Sequence, residues 1–249
     1  MHTSPKTGAV ADKFLAAKAW DLELERIRSV YARRRKEISR DRYALISPFN
    51  LLTMQERECA IASFLRLSGI RSLAGRRILD IGCGRGLLLR RLLEFDAEPN
   101  LLYGVDLIEE YVAEARRLSP HFKIMQSNAA ALPFADASFD LVNQATVFSS
   151  ILNPQMKHVI ASEMLRVLKS GGLMLWYDFF LNNPRNPDVR GVRKKEIRQL
   201  FPGCDVRLRR VTLAPPIGRL VAPHSPLLYM LLSSTRILCT HYLGLIKKK

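Results

Sequence analysis

The sequence predicts an α/β fold in which a mostly parallel, doubly wound sheet is covered by helices on both faces and preceded by further helices. Three observations carry this. Between residues 76 and 180, short apolar runs alternate with helical stretches, the rhythm of strand–helix–strand units. The runs are short and strongly apolar, as strands covered on both faces require. The first of them gives way to a glycine-dense turn, "LDIGCGRG", just before a helical pattern; ligands of such sheets lie beyond the carboxyl ends of the strands.

Taken in order, residues 12–40 read as a helix dense in charge through "ELERIRSVYARRRKEISR". A second helix runs through "TMQERECAIASFLRLSG", with Thr53 as its N-cap and Glu56 three residues on, the capping-box spacing. The strands are "RRILDIG", "LLYGVD", "FKIMQSN", "FDLVNQA" and "LMLWYDFF"; "GLLLRRLLEF", "IEEYVAEARRLS" and "PQMKHVIASEMLRVLKSGG" are helical segments between them. After the Asn-Pro turns of "NNPRNPDVRG" come a helix, "VRKKEIRQLF", and two strands, "DVRLRRVTL" and "HYLGLIK". The expected organisation is a helical extension or lid over residues 1–69 and a core over 70–249 with a basic C-terminal part.

The net charge of +16 is unevenly spread. Residues 51–181 hold 14 Lys/Arg against 14 Asp/Glu, residues 1–50 hold 11 against 6, and residues 182–249 hold 14 against 3. A neutral core with basic flanks suits contact with something anionic, whether a substrate or a membrane surface, as well as it suits plain solvation. The four cysteines form no CxxC pair, so neither a zinc cluster nor a disulfide framework is expected, and a reducing cytoplasm fits. No metal site is expected. "SPLLYMLLSSTRILCTHYLGLI", the most lipid-like stretch, is interrupted by Arg236 and His241, which argues against a spanning helix.

The glycines of the turn, Gly82, Gly84 and Gly86, are spaced G-x-G-x-G. This is one residue tighter than the dinucleotide fingerprint, and the preceding Asp80 suits an ammonium group better than a phosphate. Asp106 ends the second strand, where a carboxylate can accept hydrogen bonds from both hydroxyls of a ribose. Leu107 beside it can lie against an adenine face. Asn128, at the end of the third strand, can meet the adenine edge, with Ala129 following.

These segments, with "GVDLIEEYVAEAR", "AAALPFADASFDLV" and "EMLRVLKSGG" in that order, resemble the class I S-adenosylmethionine-dependent methyltransferases, in particular their small-molecule branch (the methyltransferase type 11-like proteins). The resemblance implies a Rossmann-like seven-stranded sheet with an antiparallel last strand, which "HYLGLIK" can supply. It implies S-adenosyl-L-methionine as cofactor, with its methionine end at Asp80 and Gly82 to Gly86, its ribose at Asp106, its adenine at Leu107, Asn128 and Ala129, and a further contact at Gln144. Asn128 replaces a common aspartate and Ser170 a usual proline.

Methyl transfer needs alignment above all, because the sulfonium is already activated. If the acceptor is a hydroxyl, Asp178 and Tyr177 are the candidate bases near a strand end, ahead of His158. Tyr43, Phe148, Arg185 and Arg190 are the candidate substrate contacts, the arginines for an anionic group, and "SRDRYALISPFN" can fold over the cofactor with Tyr43 or Phe49 packing on it. The expected acceptor is a small molecule, be it a metabolite, a saccharide or a lipid intermediate. Two other readings stay open: methylation of RNA, favoured by the basic flanks, and cofactor binding without catalysis.

Overall fold

The computed structural model describes residues 6–184 and 186–249. Two helices, α1 (Lys6–Glu37) and α2 (Pro48–Leu67), lead into β1 (Ile78–Ile81), α3 (Leu87–Leu92), β2 (Leu102–Asp106), α4 (Glu109–Leu118) and β3 (Lys123–Gln126). Then follow β4 (Phe139–Ala145), α5 (Pro154–Val167), β5 (Leu168–Phe179), α6 (Lys194–Leu200), β6 (Asp205–Leu213), α7 (Pro215–Val221), α8 (Pro226–Ser234) and β7 (Cys239–Lys247). The seven strands form one sheet in the order β3-β2-β1-β4-β5-β7-β6. β1 to β5 pair in parallel, and β7 is antiparallel to both β5 and β6. The last strand therefore slots in beside β5, and the strand order reverses between β1 and β4, a switch point that leaves a crevice.

Every residue of β1 and β2 is buried, so their alternating side chains feed two cores. On one face Leu79, Ile81, Val142, Met174 and Trp176 pack with α5, α6 and Ile27 of α1. On the other, Ile78, Leu141, Leu173 and Leu175 pack with α2, α3 and α4. A smaller cluster of Phe49, Leu213, Ala222 and Tyr229 seats α7 and α8 against the start of α2. No helix among the described residues is long and apolar enough to cross a membrane.

Three local expectations are corrected. α2 starts five residues before Thr53, with Pro48 in its first turn, where the missing N–H costs nothing. Thr53 and Glu56 instead make tertiary contacts: the Thr53 and Tyr229 hydroxyls are 3.1 Å apart, and Glu56 accepts the Thr212 N–H at 3.0 Å. The helix of "EMLRVLKSGG" ends at Val167, and Leu168 to Gly172 open β5, with a register shift against β4 between Phe139 and Leu141. The stretch after β6 folds into α7 and α8, each begun by proline, which the strand-like ending of the sequence had masked.

Trp176 sits at the centre of the first core, 1% exposed, with its ring 4.7 Å from that of Phe148 and 6.0 Å from that of Phe201. Its indole Nε1 has no hydrogen-bond partner among the described residues. Trp176→Ala is therefore expected to lower unfolding free energy by about 3–5 kcal/mol, whereas Trp176→Phe costs well under half of that because no polar contact is lost. Denaturant melts of the three proteins check both values.

Candidate functional site

The glycine turn is built by backbone geometry that other residues resist. Gly82, Gly84 and Gly86 have φ of +67°, +53° and +72°, the left-handed region that a Cβ disfavours. A Cβ on Gly82 would come within 2.4 Å of Val147 Cγ2, whereas one on Gly84 would meet nothing within 4 Å and so point into open space. Gly86 starts α3. Asp106 fastens this turn to the end of β2: its Oδ2 accepts the Gly84 N–H at 2.8 Å and its Oδ1 the Ile108 N–H at 2.9 Å. Burial pushes the Asp106 carboxyl up, and those two N–H groups pull it partly back.

A cavity of about 270 Å³ opens at this point, at the carboxyl ends of β1, β2 and β4. Its floor brings together Gly82, Gly84, Asp106, Leu107, Asn128 and Ala129. Asn128 Oδ1 accepts the Ala130 N–H at 3.0 Å, so its amide nitrogen is the group it can offer a ligand. Thr146, Val147 and Ile151 from the loop after β4, with Met156 and Ile160 of α5, form the wall. The roof is Leu24, Ile27 and Tyr31 of α1.

Two features clip that roof down. Glu23 is 8% exposed and accepts the Leu152 N–H at 2.5 Å and Arg26 Nε at 2.8 Å, while Arg26 also donates to the Ser150 carbonyl at 2.6 Å. Burial pushes the Glu23 carboxyl up, but Arg26 and the Leu152 N–H outweigh it and hold it below its ordinary value. The Tyr31 hydroxyl lies 3.1 Å from Ser150 Oγ. The sequence did carry a signal for this roof in Trp20, Leu24, Ile27 and Tyr31, spaced as one helical stripe, though the surrounding charge hid it.

Other expected site residues lie elsewhere. Asp80, Gly86 and Gln144 are not among the residues that line the cavity, although Gly86 belongs to the turn that does. Gln144 is fully buried and its Oε1 accepts the Val147 N–H at 3.1 Å, shaping the loop after β4. Tyr177 points to the opposite face of the sheet, its hydroxyl 2.8 Å from Thr212 Oγ1 and its ring stacked on His241. Asp178 is fully buried and accepts the Ser149 and Phe179 N–H groups at 3.0 and 2.9 Å; burial pushes its carboxyl up to about 6. Phe148 is core, packed on Trp176 and Phe201.

Tyr43 is 64% exposed and Phe49 packs on Tyr229, so the segment expected to close over the site does not reach it; α1 does. His158 is exposed on α5. The Arg190 side chain is exposed, with its backbone N–H donating to the Ser149 carbonyl at 2.8 Å. Arg185 lies outside the described residues. Among the described residues no group of three or more His, Cys, Asp or Glu could hold a metal ion.

Asp80 is 3% exposed and accepts from Asn143 Nδ2 at 2.5 Å. Burial pushes its carboxyl up to about 7, against the Asn143 hydrogen bond, while Arg57 of α2 tempers the rise. Between its ordinary pKa of about 4 and about 7, the folded protein holds a proton that the unfolded chain has lost, so stability falls as pH rises through that window. Asp80→Asn keeps the amide contact and removes the titration. Its melting temperature relative to the parent should climb from pH 4 to pH 7 and level off above it; a pH-independent difference would contradict the assignment.

The family match falls on the strands, turn and loops that make the cavity's floor and wall. Residues 79–176 match the family model described as "Methyltransferase domain". The chain is 34% identical over 132 residues to a 2-methyl-6-phytyl-1,4-hydroquinone methyltransferase of a Synechocystis species, a match covering 51% of this chain and 39% of that protein. It is 29% identical over 192 residues to squalene methyltransferase 1 of Botryococcus braunii, covering 65% and 47%. The chain thus spans less than half the length of these relatives. In fold it resembles a SAM-dependent methyltransferase from Archaeoglobus fulgidus, with a TM-score of 0.53 and 20% identity over 77% of this chain and 94% of that one. The strand order, the turn held by Asp106 and the family match agree in supporting a class I S-adenosylmethionine-dependent methyltransferase domain over residues 79–176.

Proposed function

We propose that this chain transfers a methyl group from S-adenosylmethionine to a small, largely apolar acceptor. The observation that carries this reading is the division of the cavity. One side offers the glycine turn and the Asp106 carboxylate, and the other is apolar, formed by Leu24, Ile27, Ile151, Met156 and Ile160.

The residues present fit the cofactor. The open space above Gly84 is room that a side chain there would take from a ligand. Asp106 would hold the ribose hydroxyls, Leu107, Asn128 and Ala129 the adenine, and the turn from Gly82 to Gly86 the methionine end. Bound there, the cofactor would supply a methyl group on a sulfonium already activated for in-line displacement. The chain's own part is alignment and exclusion of water, worth up to about 7–11 kcal/mol in favourable cases. Among the described cavity-lining residues Asp106 is the one carboxylate, and both its oxygens already accept backbone N–H groups, so no strong general base faces the acceptor. Asp178 serves as a positioning residue, holding the loop after β4 through the Ser149 N–H. Two relatives are named for isoprenoid acceptors, a phytyl hydroquinone and squalene; the apolar wall and roof favour the same class here.

Methyl-labelled cofactor offered with separate pools of isoprenoid lipids, polar metabolites and RNA tests the reading. Label is expected in the isoprenoid pool; label in RNA alone would overturn it. Cofactor binding is tested apart from turnover. Asp106→Ala should weaken S-adenosylmethionine by about 1.5–3 kcal/mol in calorimetry, the loss of a charge-assisted hydrogen bond at a buried site. Unchanged affinity in a folded variant would reduce Asp106 to a brace for the turn.

A further inference from the structure

The carboxyl end of the sheet carries a second feature that the reaction does not use. α7 and α8 connect the end of β6 to the start of β7. β6 runs in the same direction as β5, because both pair antiparallel with β7. The two helices therefore lie at the same end of the sheet as the cavity. α8 buries Tyr229 and Ser233 and turns Leu227, Leu228, Met230 and Leu231 outward, 45–67% exposed. Leu220 of α7 and Ile237 in the turn after α8 are 70% and 76% exposed. The neighbouring segment between α1 and α2 adds Tyr43 and Ile46, at 64% and 93%. Arg219 of α7 ties the two parts together: it lies over the Phe49 ring at 5.4 Å and stands close enough to Arg42 to feel its charge.

Such a concentration of exposed leucine is unusual on a monomer and marks a contact surface. Its charge decides between partners. From Val206 to the C-terminus the sequence has no Asp or Glu and eight Lys or Arg, and Arg42 and Arg236 stand exposed at the patch. Apolar side chains rimmed by arginine, with no acidic residue in α7 or α8 and only Asp41 beside Tyr43, match the boundary of an anionic bilayer, where acyl chains receive the leucines and headgroups the arginines. A second copy of this chain would set the same arginines against each other. We propose that α7, α8 and the turn around Tyr43 and Ile46 form a docking face for an anionic membrane surface. The face is at the cavity's end of the sheet, so docking holds the cavity end toward the lipid.

Vesicle co-sedimentation of the full chain tests this without any turnover, so its failure is distinct from failure of the methyl-transfer reading. The probes are phosphatidylcholine vesicles with and without phosphatidylglycerol. The protein should sediment with the phosphatidylglycerol vesicles, weakly with phosphatidylcholine alone, and less as salt rises. The triple variant Leu227→Ser, Met230→Ser, Leu231→Ser should lose at least about tenfold in partitioning while keeping its melting temperature, because the three side chains are exposed. Arg42→Gln with Arg236→Gln should flatten the salt dependence. Absence of binding to phosphatidylglycerol vesicles, or equal binding by the triple variant, would overturn the proposal. A dimer without lipid that the triple variant dissolves would also overturn it and assign the face to self-association.

Discussion

The carboxylate of Asp106 is the joint on which this site turns. It ends β2, yet its two oxygens reach backbone N–H groups on either side, at Gly84 in the turn after β1 and at Ile108 ahead of α4. Three left-handed glycines make a turn that has little intrinsic preference for one shape. A buried acceptor holding the central one gives it that shape and leaves the space over Gly84 open. The price is a carboxylate in a buried place, and burial raises its pKa. One residue thus links the strand order of the sheet to the cavity that the order creates.

A second constraint closes the site from the N-terminal side. α1 is not tethered by an apolar stripe alone, because Glu23 and Arg26 bind the backbone of residues 150–153, so the roof is held to the loop after β4. Asp178 and Gln144 brace the same loop from within, at the Ser149 and Val147 N–H groups. Wall and roof are therefore one hydrogen-bonded unit, and a change at any of these residues reaches the cavity without touching its lining.

The core was legible in the sequence because its signals are local. Apolar runs, glycine spacing and a carboxylate at a strand end each follow from neighbouring residues, and they placed β1 to β4, the turn, Asp106, Leu107, Asn128 and Ala129 where the structure has them. What failed needed long-range information. Strand alternation puts Tyr177 and Trp176 on opposite faces, but nothing local says which face is the cleft. Thr53 and Glu56 copy a helix cap and are used 156 and more residues away. The proline-initiated α7 and α8 are short and apolar, a pattern that strand and helix share.

In the proposed reading the turn, the strand-three loop and α1 enclose one cofactor site. Amide hydrogen exchange with and without S-adenosylhomocysteine tests it most directly, since exchange reports local opening residue by residue. Exchange is expected to slow in residues 82–86, 106–108 and 127–130, together with residues 24–31 of α1, and to change little in α7 or α8. Protection confined to the basic C-terminal segment, or a turn that slows while α1 does not, would contradict it.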